Sequence, residues 1–125
     1  MDIKRILIVD DSATSRMIIK RCFQMTGQFD GVSYYDAEDG LKAVSFLQDN
    51  SVDLVVTDLK MPKMDGGTFI KKLKLHEDTK TLPVIIISSM GNDVTEEQFL
   101  EEGVLAIIRK PISPAKIVES LNLEE

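Results

Sequence analysis

Four short runs of apolar, mostly β-branched residues punctuate the chain: 6–9 (ILIV), 54–57 (LVVT), 84–87 (VIII) and 105–109 (LAIIR). A fifth, 31–35 (GVSYY), alternates between small or polar and apolar residues. Continuous apolar runs of this length belong to strands covered on both faces, as in a parallel sheet, whereas the alternating run reads as an edge strand.

Between the runs the apolar spacing becomes helical. Residues 15–25 place Met17, Ile18, Cys22 and Met25 on one broad apolar face, and Gly27 stops that helix. Residues 37–48 carry Leu41, Val44 and Leu47, and 67–75 carry Phe69, Ile70 and Leu73. A fourth helix opens at Thr95, whose Thr-x-x-Gln spacing to Gln98 forms a capping box, and Gly103 closes it. In the last helix Ser113 is the cap, Pro114 takes the first helical position, and Ile112 staples to Ile117. With no linker, repeat or low-complexity tract, the pattern predicts five βα units in one α/β domain over 1–125. Its sheet is parallel, open and covered by helices on both faces.

Composition narrows the class. At 43% hydrophobic and 29% charged, the 125 residues are ordinary for a globular domain. A chain of that length buries roughly two-thirds of its unfolded surface. The net charge of -6 argues against direct nucleic-acid binding. No run approaches the length of a membrane span, and the first apolar run is too short for a signal peptide. The single cysteine, Cys22, reads as a buried thiol in a reducing compartment.

Candidate chemistry gathers at one sheet edge. In open parallel sheets, ligands bind outside the carboxyl ends of the strands. Asp10 and Asp11 end the first strand, Asp58 the third, Ser88 the fourth and Lys110 the fifth. With strands one, three, four and five as neighbours, three carboxylates, a hydroxyl and an ammonium converge there. Carboxylate oxygens are hard ligands suited to Mg²⁺ or Mn²⁺. They also repel, by about 4 kcal/mol for unit charges about 4 Å apart at an effective dielectric of about 20. A cation and Lys110 relieve that repulsion and let a phosphoryl group approach. Asp58 is then the nucleophile, forming an aspartyl-phosphate, and Ser88 a donor to a phosphoryl oxygen. Blander roles suit other residues. Asp10 or Ser12 can cap the first helix, Asp65 suits a turn and cap, and Ser89 suits a loop. His76 reads as a surface residue, and Lys71, Lys72 and Lys74 as a solvated helix face.

The segments ILIVDDS, VVTDLKMPKMDG, VIIISS and IIRKPIS, in this order and spacing, resemble the response-regulator receiver domains of two-component signalling, and most closely the stand-alone chemotaxis type. That resemblance spans nearly the whole chain. It implies a flavodoxin-like (βα)5 fold, a doubly wound five-stranded sheet of order 2-1-3-4-5. It implies that Asp58 accepts phosphate from a histidine kinase's phosphohistidine. It further implies that Asp10, Asp11, Asp58 and the backbone carbonyl of Lys60 hold Mg²⁺, that Ser88 and Lys110 respond to the phosphoryl group, and that Lys110-Pro111 is cis. Output would pass through the face of the fourth helix, fifth strand and fifth helix. Lys60 and Met90 occupy the positions that tune phosphate loss. Where the family commonly places a rotating aromatic switch residue, this chain has Ile107, which has no polar tip to swing.

The expected function is a phosphorylation-dependent switch: a cytoplasmic monomer with no output domain, no membrane insertion and a protein target such as a flagellar motor component. A phosphate sink, a fragment of a longer regulator and an unphosphorylated docking module are the other readings within the fold. A phosphatase-like enzyme with an aspartate nucleophile is the reading from another class. It would want a second acid two residues after Asp58, where Lys60 stands.

Overall fold

The computed structural model describes residues 2–89 and 93–122, and their side chains except at 93–95. Five strands and five helices alternate along the chain: β1 Arg5–Val9, α1 Ala13–Met25, β2 Ser33–Ala37, α2 Gly40–Asp49, β3 Leu54–Asp58, α3 Gly66–Leu75, β4 Val84–Ser88, α4 Asp93–Glu101, β5 Ala106–Arg109 and α5 Pro114–Ser120. The strands form one sheet of order β2-β1-β3-β4-β5, every pair parallel, as expected.

The apolar runs are explained by two cores, one on each face of the sheet. Successive side chains of a strand point to opposite faces. Ile6 and Ile8 of β1 therefore join Leu54, Val56, Ile85 and Ile87 against Ile19, Cys22 and Phe23 of α1 and Ile117 of α5. Leu7 and Val9 join Val55, Val84 and Ile86 against Ala43 of α2 and Phe69, Ile70 and Leu73 of α3. Each fully buried aliphatic or Phe side chain contributes about 1.5–3 kcal/mol. A polar residue inside β1, β3 or β4 has no solvated face to occupy, and the one such residue, Thr57, satisfies its hydroxyl on the Asp58 carbonyl at 2.9 Å.

Several element boundaries differ from the sequence reading. In α1 the buried residues are Ile19, Cys22 and Phe23, while Met17, Ile18 and Met25 are exposed. The sheet-facing stripe is thus rotated from the one expected. Residues 37–39 are not helical: Ala37 closes β2, pairing with Val9, and α2 starts at Gly40 behind the Asp39 cap. Leu41 is exposed, and Val44 and Leu47 are half-buried. Strand β2 is shifted two residues from the 31–35 run, and its outer edge is unpaired. Leu105 lies just outside β5. Helix α4 begins at Asp93, so Thr95 is inside it rather than its cap.

Other expectations hold. Gly27 and Gly103 follow α1 and α4 with positive φ, 70° and 94°. Ser113 caps α5 through the Lys116 amide, Pro114 is its first residue, and Ile112 and Ile117 share one apolar cluster. Burial pushes the Cys22 thiol pKa up, which keeps it protonated and unreactive. Among the described residues no helix is long and apolar enough to cross a membrane.

Candidate functional site

At the carboxyl edge of the sheet, the order β1-β3-β4-β5 brings four strand ends side by side. Asp10 follows β1, Asp58 ends β3, Ser88 ends β4 and Lys110 follows β5. Asp58 and Ser88 are buried, and Asp10 is 1% exposed. Asp11, one residue further out, is exposed. Among the described residues, Asp10, Asp11 and Asp58 form a carboxylate triad, with one oxygen from each lying within 4.8 Å of the others.

Each acid is held differently. Asp58 Oδ1 accepts the Leu59 amide at 2.7 Å and the Lys60 amide at 3.4 Å, so its own loop turns back onto it. Asp58 Oδ2 accepts Lys110 Nζ at 3.2 Å. Asp10 Oδ1 accepts the Ser12 amide at 2.9 Å, while its Oδ2 is buried without a hydrogen-bond partner. Burial pushes the Asp10 carboxyl pKa above its ordinary value. The Ser12 amide opposes that shift, and the neighbouring charge of Asp58 adds to it. Three acids against the one ammonium of Lys110, with a buried carboxylate oxygen left unpartnered, leave the site short of positive charge. A hard divalent cation suits this all-oxygen set, and the residues present therefore fit Mg²⁺.

The remaining expected residues fall around this cluster. Lys110 is fixed at its backbone as well, its amide donating to the Ser88 carbonyl at 2.8 Å. The Lys110-Pro111 bond is cis. Lys60 is exposed and lines an open cleft of about 660 Å³ with Asp11, Leu59, Met61 and Phe99. Ile107 is half-buried against the α2–α3 core, an apolar wedge in β5. Met90 lies outside the described residues. Asp65 caps α3 through the Thr68 amide, and Ser12 caps α1 through that of Ser15; both are local roles. His76 and Ser89 are exposed.

Two residues that shape the site were missed. A Cβ on Gly66 would lie 2.4 Å from the Asp58 carbonyl oxygen and 2.8 Å from Leu59 Cα, so only glycine lets α3 start against this strand end. The signal was the Asp-Gly-Gly turn, read one residue late. Arg16, near the start of α1, donates Nη1 to the Asp10 carbonyl at 2.6 Å and Nε to Asp36 Oδ2 at 3.2 Å. A cation in that helical position opposes the macrodipole, which was the one hint available.

The geometry joins a carboxylate tethered by two amides, a lysine on its second oxygen and two further acids beside it. Residues 6–122 match the family described as "Response regulator receiver domain". The chain belongs to that family, the phosphorylation-dependent switches of two-component signalling. It is 37% identical over 121 residues to the Vibrio cholerae chemotaxis protein CheY-3, covering 94% of this chain and 88% of that one. The Bacillus subtilis chemotaxis protein CheY is 36% identical over 118 residues, covering 94% of each. The chain also matches the Helicobacter pylori sensor histidine kinase CheAY at 33% over 110 residues, but spans only 13% of its length. A response regulator receiver protein from Pseudomonas putida shares the fold with a TM-score of 0.82 over 98% of both chains, at 23% identity.

Proposed function

We propose that Asp58 accepts a phosphoryl group from the phosphohistidine of a histidine kinase, and that the resulting change at β4 and β5 alters binding of a protein target. The observation that carries this is the Asp58 carboxylate, held by Lys110 Nζ at 3.2 Å within a triad whose third member, Asp10, keeps an unpartnered oxygen. A carboxylate oxygen of Asp58 forms the new P–O bond as the P–N bond of phosphohistidine breaks. The bonding pair returns to the imidazole, which takes up a proton. Asp10, Asp11, Asp58 and the Lys60 carbonyl would hold Mg²⁺, which would neutralise charge on the phosphoryl oxygens. Lys110 exchanges its bond to Asp58 for one to the phosphoryl group, and Ser88 donates to another of its oxygens.

The readout face is α4, β5 and α5, because Lys110 and Ser88 lie at the strand ends that feed it. The relatives named as chemotaxis proteins support a stand-alone chemotaxis-type regulator. We place it in the cytoplasm as a monomer acting on a protein such as a flagellar motor component. It works as a signalling protein, catalysing only its own phosphotransfer and dephosphorylation. Incubation with acetyl phosphate and Mg²⁺, read by intact mass, tests the reading. Wild type gains one phosphoryl group and Asp58→Asn gains none. Labelling of a folded Asp58→Asn variant would overturn it.

A further inference from the structure

Every polar atom of Asp10 is tied down except one. Its N–H donates to the Ala37 carbonyl at 3.0 Å. Its Oδ1 accepts from Ser12, and its carbonyl accepts from Arg16 Nη1 at 2.6 Å, the shortest of these contacts. Only Oδ2 is left over. The arginine is itself oriented: its side chain is 15% exposed, and its Nε is bonded to Asp36, a β2 residue in register with Ile8. One guanidinium therefore links α1, the end of β1 and the end of β2.

We propose that Arg16, aligned by Asp36, is a positioning residue for the cation site. The peptide joining Asp10 to Asp11 is planar, so holding its carbonyl in one direction restrains ψ of Asp10 and φ of Asp11 together. Those two torsions set how the Asp11 side chain lies relative to that of Asp10. With Oδ1 of Asp10 pinned by Ser12, Oδ2 is left without a partner, in a carboxylate that has an oxygen within 4.8 Å of one from each of Asp11 and Asp58. The planar fork makes this possible, since Nη1 and Nε bond two acceptors at a fixed angle. A lysine carries its donors on a single nitrogen at the end of a flexible stem and lacks that fixed fork. This inference rests on the reading of Asp10 and Asp11 as cation ligands.

A guanidinium beside an acidic cluster has another possible role, as counter-charge alone, and the two roles differ in sign. If Arg16 only balances charge, removing it makes the site more negative and tightens cation binding. If it positions the acids, removing it weakens binding despite the added negative charge. Partners that orient a metal's ligands typically change affinity by about 10–100-fold.

The test uses Mn²⁺ alone, with free ion measured by electron paramagnetic resonance, on wild type, Arg16→Ala, Arg16→Lys and Asp36→Asn. Positioning predicts Mn²⁺ affinity lowered about tenfold in Arg16→Ala and partly recovered in Arg16→Lys. Asp36→Asn keeps the cation but loosens its aim, so it too binds more weakly. Arg16→Lys, which keeps the charge but loses the fork, carries the test should Arg16→Ala fail to fold, and wild-type binding in it overturns the positioning role. A second readout is the Mg²⁺ concentration giving half the maximal rate of labelling by acetyl phosphate. That concentration rises in the variants while the rate at saturating Mg²⁺ stays near wild type. Equal or tighter Mn²⁺ binding in folded Arg16→Ala, or unchanged binding in Asp36→Asn, overturns the positioning role alone. A wild type that binds no Mn²⁺ overturns the reading of the acids as a cation site, and this inference with it.

Discussion

Lys110 Nζ stands 3.2 Å from Asp58 Oδ2, although the two residues are 52 apart in sequence. The contact spans β3 to β5 across the end of β4, where the Lys110 amide is bonded to the Ser88 carbonyl. Lys116 holds the same connection from α5, donating Nζ to the Arg109 carbonyl at 3.1 Å and the Pro111 carbonyl at 2.8 Å. The lysine is therefore mounted on a braced loop, and a new partner for its ammonium pulls on β5 as a whole.

Removing that ammonium should separate acceptance of phosphate from response to it. In Lys110→Ala, Asp58 keeps its amide bonds and its acidic neighbours, so labelling persists, slowed by about a hundredfold for the lost cation. NMR shifts from Phe99 to Ile107 on phosphorylation should largely vanish. A full wild-type shift pattern in the variant would show that another group carries the signal.

Charge crowding should appear as stability. Burial and the nearby Asp58 charge push the Asp10 pKa up. A carboxyl whose pKa is raised on folding favours the fold when protonated and opposes it as pH rises past that value. At neutral pH without metal, Asp10→Asn should therefore stabilise the fold by about 1 kcal/mol. Added Mg²⁺ should shrink the difference, because wild type then gains binding energy that the variant lacks. Urea midpoints with and without Mg²⁺ decide it; a metal-free variant no more stable than wild type counts against the crowding.

The β3–α3 turn offers a paired test of sterics. Gly66→Ala forces a Cβ into the Asp58 carbonyl and should cost about 2 kcal/mol, while slowing labelling because Asp58 and Leu59 must shift. Gly67→Ala is the control. Its Cβ meets Asp65 Oδ1 at 3.5 Å and Phe99 at 3.6 Å, ordinary contacts, so gained helix propensity should stabilise it by about 1 kcal/mol. Thermal melts and acetyl phosphate labelling of both variants are the measurement. Equal behaviour of the two would refute the clash.

Why the sheet was readable from sequence and the helical faces were not follows from what each residue contacts. Strands β1, β3 and β4 are buried on both faces, so their interiors are almost wholly apolar, Thr57 being admitted because its hydroxyl bonds the Asp58 carbonyl, and the acids and Ser88 that follow mark the strand ends that build the site. Helix α1 carries Met17 and Ile18 beside Ile19, and Cys22 beside Phe23, so its apolar stripe can be drawn in more than one register. Only packing against the sheet selects Ile19 and Phe23. Ala37 suits a helix by propensity, but pairing with Val9 holds it in β2. Arg16 acts through a backbone carbonyl, which any residue at position 10 would supply, so no side-chain pairing announces it.

Asp65 gives a pH signature outside the triad. Hydrogen bonds from Thr68, the backbone amide first, hold its carboxyl below the ordinary range. A pKa lowered on folding contributes stability at pH above the unfolded value and loses it as pH falls. Asp65→Ala should cost about 1 kcal/mol near neutral pH. The gap to wild type should narrow below about pH 4. Urea midpoints at both pH values check it, and a gap that widens in acid would contradict the cap assignment.

The last prediction concerns the lifetime of the phosphorylated state. An acyl phosphate is lost when water attacks in line, so groups lining the approach control the rate. The cleft is lined by Leu59, Met61, Pro62 and Phe99, which offer water no side-chain hydrogen bond beyond a weak thioether acceptor, and by two acids, Asp65, which is bonded to the Thr68 amide, and Asp11, a member of the triad. Lys60, the exposed cation at its rim, carries donors and no acceptor, and cannot take a proton from attacking water while charged. The phosphoryl group should therefore persist longer than in a variant with a water-binding amide there. Lys60→Asn supplies that amide, and pairing it with Met90→Glu adds a carboxylate acceptor at the other position expected to tune the reaction. First-order decay of the phosphorylated protein, followed after the donor is removed, should accelerate by about tenfold in the double variant, less than a fully positioned proton acceptor contributes. Decay no faster than wild type would mean that these side chains do not govern water access, leaving the lifetime to the Lys110 and cation contacts themselves.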